Sequence, residues 1–181
     1  RRVEYFYEYS ELRTLNKDEI DALYKKDPQK LTASEFWSYI MSQKDATDEK
    51  REALYREALS IHPDLMIAAN NLASLLIKQN RADTTLLKPF ITQDAPSAIL
   101  VNQTVAYLQK RDFKRANHFA ELLPDNKDTE IVKALAAAMD GKYQEAYPIF
   151  EKQGGINQAI LLLSMKQNSK AWEVLQKVED T

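Results

Sequence analysis

Short stretches of this chain repeat in a common frame, and that frame limits the folds open to it. The windows 71–81, 102–112 and 157–167 align without a gap, and each opens on an asparagine: Asn71, Asn102 and Asn157. A fourth window, from Ile131, keeps the same apolar pattern with Val132 in the asparagine position. Equivalent positions lie 31, 30 and 25 residues apart. Internal similarity at such periods marks a stacked array, in which each unit is too small to bury its apolar side alone.

Composition narrows the choice further. With 3 Gly and 6 Pro in 181 residues, turn formers are too scarce for a many-stranded sheet, and helices joined by short connections fit better. A formal net charge of −2 disfavours nucleic acid as a partner, because polyphosphate binding draws on a basic field. No stretch of about 18 apolar residues is present, so no direct membrane insertion is expected. The absence of Cys removes disulfide scaffolds and thiolate metal sites. The chain opens on Arg1 with neither Met nor a signal peptide, and it is read as a fragment whose targeting segment lies upstream.

The first residues differ from the rest. Val3, Tyr5, Tyr7 and Tyr9 alternate with Glu4, Phe6 and Glu8, a period-two pattern that predicts a strand or extended arm. From Leu15 onward the signals are helical. Asn16 is placed to cap a helix over 17–26 that stops before Pro28, and the Thr32-Ala33-Ser34-Glu35 box opens another whose apolar face carries Phe36, Trp37, Ile40 and Met41. Further helices are expected over 47–61, with Ala53, Leu54, Ala58 and Ile61 apolar, and over 65–78 behind an Asp64 cap. Then follow 83–91, 96–110, 113–123, 129–139, 143–152, 156–165 and 170–178. Connections of two to six residues force antiparallel neighbours. The predicted organisation is an arm at 1–14, capping helices at 15–46 and helical repeats at 47–181. Tyr5, Phe6, Tyr7, Phe36 and Trp37 are read as covering the apolar end of the first repeat, or as a seat for a second domain.

Small residues fall where paired helices must approach closely: Ala58, Ala73, Ala116, Ala146 and Ala171. The run Tyr55-Arg56-Glu57-Ala58-Leu59-Ser60-Ile61-His62-Pro63, followed by Asn70-Asn71-Leu72-Ala73, resembles tetratricopeptide (TPR) repeats, as does Gly141-Lys142-Tyr143-Gln144-Glu145-Ala146. The resemblance covers about 48–179. It departs from the family in lacking the first-helix Trp and Gly, in a period below about 34 residues, and in placing Pro89 and Pro148 inside expected second helices. Shortened or kinked second helices follow from those prolines. The resemblance implies an all-α solenoid of antiparallel helical hairpins that binds a protein or peptide on its concave, first-helix face. The family's backbone-holding Asn falls on Asn71, Asn102 and Asn157, with Asn70, Ser74, Lys78 and Gln109 nearby. An amide both donates and accepts, which suits an extended chain. The alternative is that these are surface polar groups or bond to neighbouring loops.

Arg1-Arg2-Val3-Glu4 resembles the closing strand of OmpA-like peptidoglycan-binding domains. That resemblance implies a C-terminal region of a bacterial envelope protein, periplasmic or outer-membrane-associated, with peptidoglycan association through an upstream domain. If the four residues match by accident, a cytoplasmic chain is equally open, and the arm packs on the first helices.

No catalytic constellation is evident, and neither a metal nor a cofactor is expected. His62 and His118 give no zinc-ligand pair, and no phosphate loop, dinucleotide fingerprint or nucleophile elbow occurs. Asp125-Asn126-Lys127-Asp128 lacks the Gly and distal Glu of a calcium loop and is read as a turn. Lys110, Arg111, Lys114 and Arg115 form the one basic cluster, either solvated loop charge or an electrostatic docking patch. The function expected from all this is a non-catalytic protein-interaction scaffold. The alternative is a structural spacer or brace for an attached domain.

Overall fold

The computed structural model describes residues 14–179. The alternating segment over 3–9 and the Arg1-Arg2-Val3-Glu4 run lie outside them. Among the described residues the regular structure is entirely helical, with ten α-helices and no strand. The contacts divide the chain into two units, Arg1–Leu65 and Met66–Thr181.

The first unit holds α1 (Lys17–Lys26), α2 (Ala33–Ser42) and α3 (Asp48–Ile61). Each begins where a side chain satisfies an orphan amide. Asn16 and Glu19 bond each other's backbone N–H groups in a reciprocal capping box, and Thr32 and Glu35 do the same for α2. The Thr47 hydroxyl accepts from the Lys50 amide at 3.3 Å. Pro28 restricts the residue before it, and α1 ends at Asp27. Aromatic side chains form the core. Tyr24 stacks on Tyr39 with centroids 3.8 Å apart and meets Phe36 edge-on, while Trp37 stacks on Tyr55. The Tyr24 hydroxyl donates to the Glu57 carboxylate at 2.6 Å; burial, then that bond, pushes its phenol well above the usual range. His62 donates to the Leu31 carbonyl at 2.8 Å, pinning the end of α3. Met41, expected on the apolar face, is instead exposed, because α2 buries the stripe Phe36, Tyr39 and Ile40. Ala53 is exposed as well.

The second unit contains α4 (Met66–Lys78), α5 (Ser97–Gln109), α6 (Phe113–Glu121), α7 (Glu130–Met139), α8 (Tyr143–Gln153), α9 (Gly155–Ser164) and α10 (Asn168–Glu179). Helix α5 packs on α6, α7 on α8 and α9 on α10, and each pair packs on the next through α6–α7 and α8–α9. Helix α4 packs directly on α5. The sequence frame reappears in the backbone. Asn80, Arg111, Gly141 and Lys166 follow α4, α5, α7 and α9, spaced 31, 30 and 25 residues apart, and all have φ between 58° and 84°. At each, two bonds reach back over the helix end: Arg81 to Leu76, Asp112 to Tyr107, Lys142 to Ala137 and Gln167 to Leu162, and beside them Asn80 to Ile77, Arg111 to Leu108, Gly141 to Ala138 and Lys166 to Leu163. This is the Schellman arrangement, which satisfies the final carbonyls and turns the chain sharply. The shorter last spacing arises because α8 passes to α9 across Gly154 alone, whereas residues 122–129 separate α6 from α7.

Buried positions follow the same frame. Ala73, Thr104, Ala134 and Ala159 are equivalent and buried, as are Leu76, Tyr107, Ala137 and Leu162. Ala116, Ala146 and Ala171 are buried on the second helices, where their lack of side-chain bulk admits close approach.

One expectation is corrected. The helix predicted over 83–91 does not form; apart from a 3-10 turn at Lys88–Phe90, residues 79–96 are irregular. The Asp83 carboxylate accepts from the amide and hydroxyl of Thr85, Pro89 lacks an N–H, and the Gln103 side chain donates to the Thr84 carbonyl at 2.9 Å. Those bonds, with Leu87 fully buried, hold the segment without helix. Helix α8 contains Pro148 and runs through it. Pro148 and Gln144, whose carbonyl loses a bond, are both exposed, so the proline falls on the solvent side of the helix.

The caps make a testable pair of substitutions. An added Cβ at Gly141 meets no atom within 4 Å, so its cost is left-handed backbone strain alone. Gly141→Ala is expected to lower stability by about 1 kcal/mol and Lys166→Gly to match or raise it, read from urea unfolding midpoints at constant slope.

Candidate interaction surface

The predicted polar residues separate into two groups. Helices α4 and α5 are stitched side by side by two amides: Asn102 donates to the Asn70 side-chain oxygen at 2.8 Å, and Gln109 donates to the Ile77 carbonyl at 2.8 Å. Both bonds span 32 residues, so the two helices run parallel. The Asn71 amide donates to the Ile67 carbonyl of its own helix at 2.7 Å. Ser74 and Lys78 lie exposed on α4. Asn157 is on α9, exposed, and lines a different hollow. The structure thus brings Asn70 and Asn102 together and leaves Asn157 apart from them.

That hollow is a groove of about 230 Å³ walled by α7 and α9, with α8 as its floor. Leu135 and Met139 come from α7, Tyr143 and Phe150 from α8, and Asn157 and Ile160 from α9. Every lining side chain is uncharged. The same two helices carry exposed stripes, Ile131–Leu135–Met139 and Ile156–Ile160–Leu163, each residue at least 41% exposed, and of these Leu135, Met139 and Ile160 line the groove. Spacings of three and four residues put each stripe on one helix face. On α7 the interior is filled by Ala134, Ala136 and Ala137 while the larger aliphatic chains face outward. That inversion is the signal which the asparagine frame missed. A helix apolar on more than one face has a second surface to cover.

A second hollow, of about 210 Å³ between α6, α7 and α8, is acidic, and three of the carboxylates that line it are paired with lysines. Glu121 accepts from Lys142 at 2.8 Å and from Asn117 at 2.7 Å, Asp125 pairs with Lys133, and Glu130 lies 3.8 Å from Lys152. The hydrogen bonds from Lys142 and Asn117 hold the Glu121 carboxyl below its ordinary range. Lys133 also donates to the Leu123 carbonyl, from the frame position that Gln103 uses to hold Thr84. The hollow therefore reads as a clamp between elements.

Lys110 and Arg111 are exposed beyond the end of α5, where cations suit the terminal carbonyls, and Lys114 is exposed in the first turn of α6. Arg115 is 3.1 Å from Asp112 and lies over the Tyr107 ring. His118 is exposed on α6. Among the described residues no group of three or more His, Cys, Asp or Glu could hold a metal ion, and no helix is long and apolar enough to cross a membrane. No protein-family model and no curated protein sequence matches the chain.

The Glu121 clamp carries a pH dependence. Its folded-state pKa is lowered, so its contribution is present above the unfolded value and lost as pH falls through the folded one. Melting temperatures from about pH 6 to about pH 3 are expected to fall more for the parent chain than for Glu121→Gln, with the two converging at the acid end.

Proposed function

We propose that this chain is a non-catalytic protein-interaction scaffold, a TPR-like right-handed solenoid of helical hairpins that takes a protein or peptide partner on its first-helix face. The observation that carries the reading is the uncharged groove between α7 and α9, bordered by exposed Leu135, Met139 and Ile160. Fully burying one such side chain contributes about 1.5–3 kcal/mol, and less where it is already partly covered, so after the cost of association the groove by itself supports weak binding. Recognition is apolar in this groove, and Asn157 offers it an amide. Lys110, Arg111 and Lys114 remain the electrostatic docking patch. The proposed setting is the C-terminal region of a bacterial envelope protein, periplasmic or outer-membrane-associated. It rests on the Arg1-Arg2-Val3-Glu4 run and is tested by fractionating the native cells.

A spacer or brace for a peptidoglycan-binding OmpA-like domain is the second reading. It draws support from α4 and α5, where Asn70, Asn102 and Gln109 spend their amides inside the chain.

A displayed peptide library separates the two. The scaffold reading expects selected peptides with apolar anchors at i and i+4, whose affinity drops at least about tenfold (1.4 kcal/mol) in Leu135→Glu and Ile160→Glu. Asn71→Ala leaves binding unchanged, and circular dichroism confirms the fold of each variant. No selected binder, or binders indifferent to both glutamates, would favour the brace.

A further inference from the structure

We infer that a hollow between α2 and α3, in the first unit, binds a carboxylate carried on a short apolar stem. The hollow has a volume of about 250 Å³ and is lined by Ile40, Met41, Gln43, Lys44, Arg51 and Tyr55. Part of that lining is apolar and fixed in place. Ile40 and Tyr55 are buried, and Trp37 stacks on the Tyr55 ring. Met41, left out of the core by α2, lines the hollow while 58% exposed, and so offers apolar surface that a ligand stem can cover.

The charged part of the lining has one sign. Lys44 and Arg51 both reach the hollow, and no Asp or Glu does. Lys50 adds a cation close by, donating to the Gln43 side-chain oxygen at 3.4 Å. Arg51 donates from Nε to the Ala46 carbonyl at 3.1 Å and from Nη2 to the Lys44 carbonyl at 3.0 Å. Those bonds hold the half-buried guanidinium in place before any ligand arrives, and leave Nη1 for a further acceptor. Among the described residues none of Lys44, Lys50 and Arg51 is ion-paired. Asp45 and Asp48 belong to the same stretch of chain but do not line the hollow. In the acidic hollow of the second unit, by contrast, three carboxylates each have a lysine.

This combination selects the ligand. A charge drawn out of bulk water is ordinarily paired, so the cations call for an anion. A guanidinium already oriented matches a planar carboxylate, and Ile40, Met41 and Tyr55 call for methylenes behind it. The volume lies below the roughly 300–1,000 Å³ of drug-sized sites, which limits the occupant to a small acid or the last residue of a chain. The site does not depend on the α7–α9 groove binding anything.

Amide NMR of the whole chain tests it, with hexanoate and N-acetyl-leucinate as models of a small acid and a chain end. Each is titrated to about 50 mM, against an expected dissociation constant on the order of 1 mM. Saturable shifts are expected at the amides of Met41, Lys44, Arg51 and Tyr55. Tighter hexanoate assigns the site to a free acid, and tighter N-acetyl-leucinate assigns it to a chain end. Acetate keeps only the charge and hexanamide only the stem, and both are expected to bind at least about tenfold more weakly. Lys44→Glu, at an exposed position, is expected to weaken the carboxylates about threefold or more, the scale of a surface ion pair, with the spectrum unchanged elsewhere. No saturable shift at these amides with either carboxylate, equal binding of acetate or hexanamide, or indifference to Lys44→Glu would overturn the inference.

Discussion

The left-handed residue after each first helix is the constraint on which the second unit depends. A helix leaves its last carbonyls unsatisfied, and here the amides of Arg81, Asp112, Lys142 and Gln167 close back on them. Each closure turns the chain sharply; after α5, α7 and α9 only three residues pass before the next helix begins. Antiparallel pairing is then enforced by length alone. The alanines at 116, 146 and 171 let paired helices approach, and the apolar cluster around Phe150 joins one pair to the next. Only one of the four left-handed positions is glycine, so the strain at Asn80, Arg111 and Lys166 is held by the closures and the packing around them.

Much of this was legible in the sequence because its causes are local. Asn16 and Thr32 announced the starts of α1 and α2, since a cap acts within three residues. The spacings of 31, 30 and 25 were visible as aligned windows and return as spacings between left-handed caps. The segment 83–91 was misread for a related reason. Its apolar Leu86 and Leu87 fit a helix, while the bond that holds it comes from Gln103, 19 residues away, and no local pattern reveals that.

The candidate surface was harder to read. The aligned asparagines drew attention to α4 and α5, but Asn102 meets Asn70 across 32 residues, a pairing that periodicity does not disclose. On α7 and α9 apolar residues occur on several faces. Which of them turn inward is decided by neighbouring helices that accept alanine and leave Leu135 and Ile160 outside. The function proposed follows from that inversion. A charge-free groove flanked by outward-facing aliphatic side chains suits apolar side chains from a partner better than an extended backbone held by amides.

The most direct measurement of the central claim is residue-resolved amide exchange by NMR, combined with backbone couplings at the four turns. The account predicts that the amides of Arg81, Asp112, Lys142 and Gln167 are all protected, and that Asn80, Arg111, Gly141 and Lys166 all report positive φ. Exchange at unfolded-chain rates at these amides, or negative φ at the three non-glycine positions, would contradict a common hairpin frame.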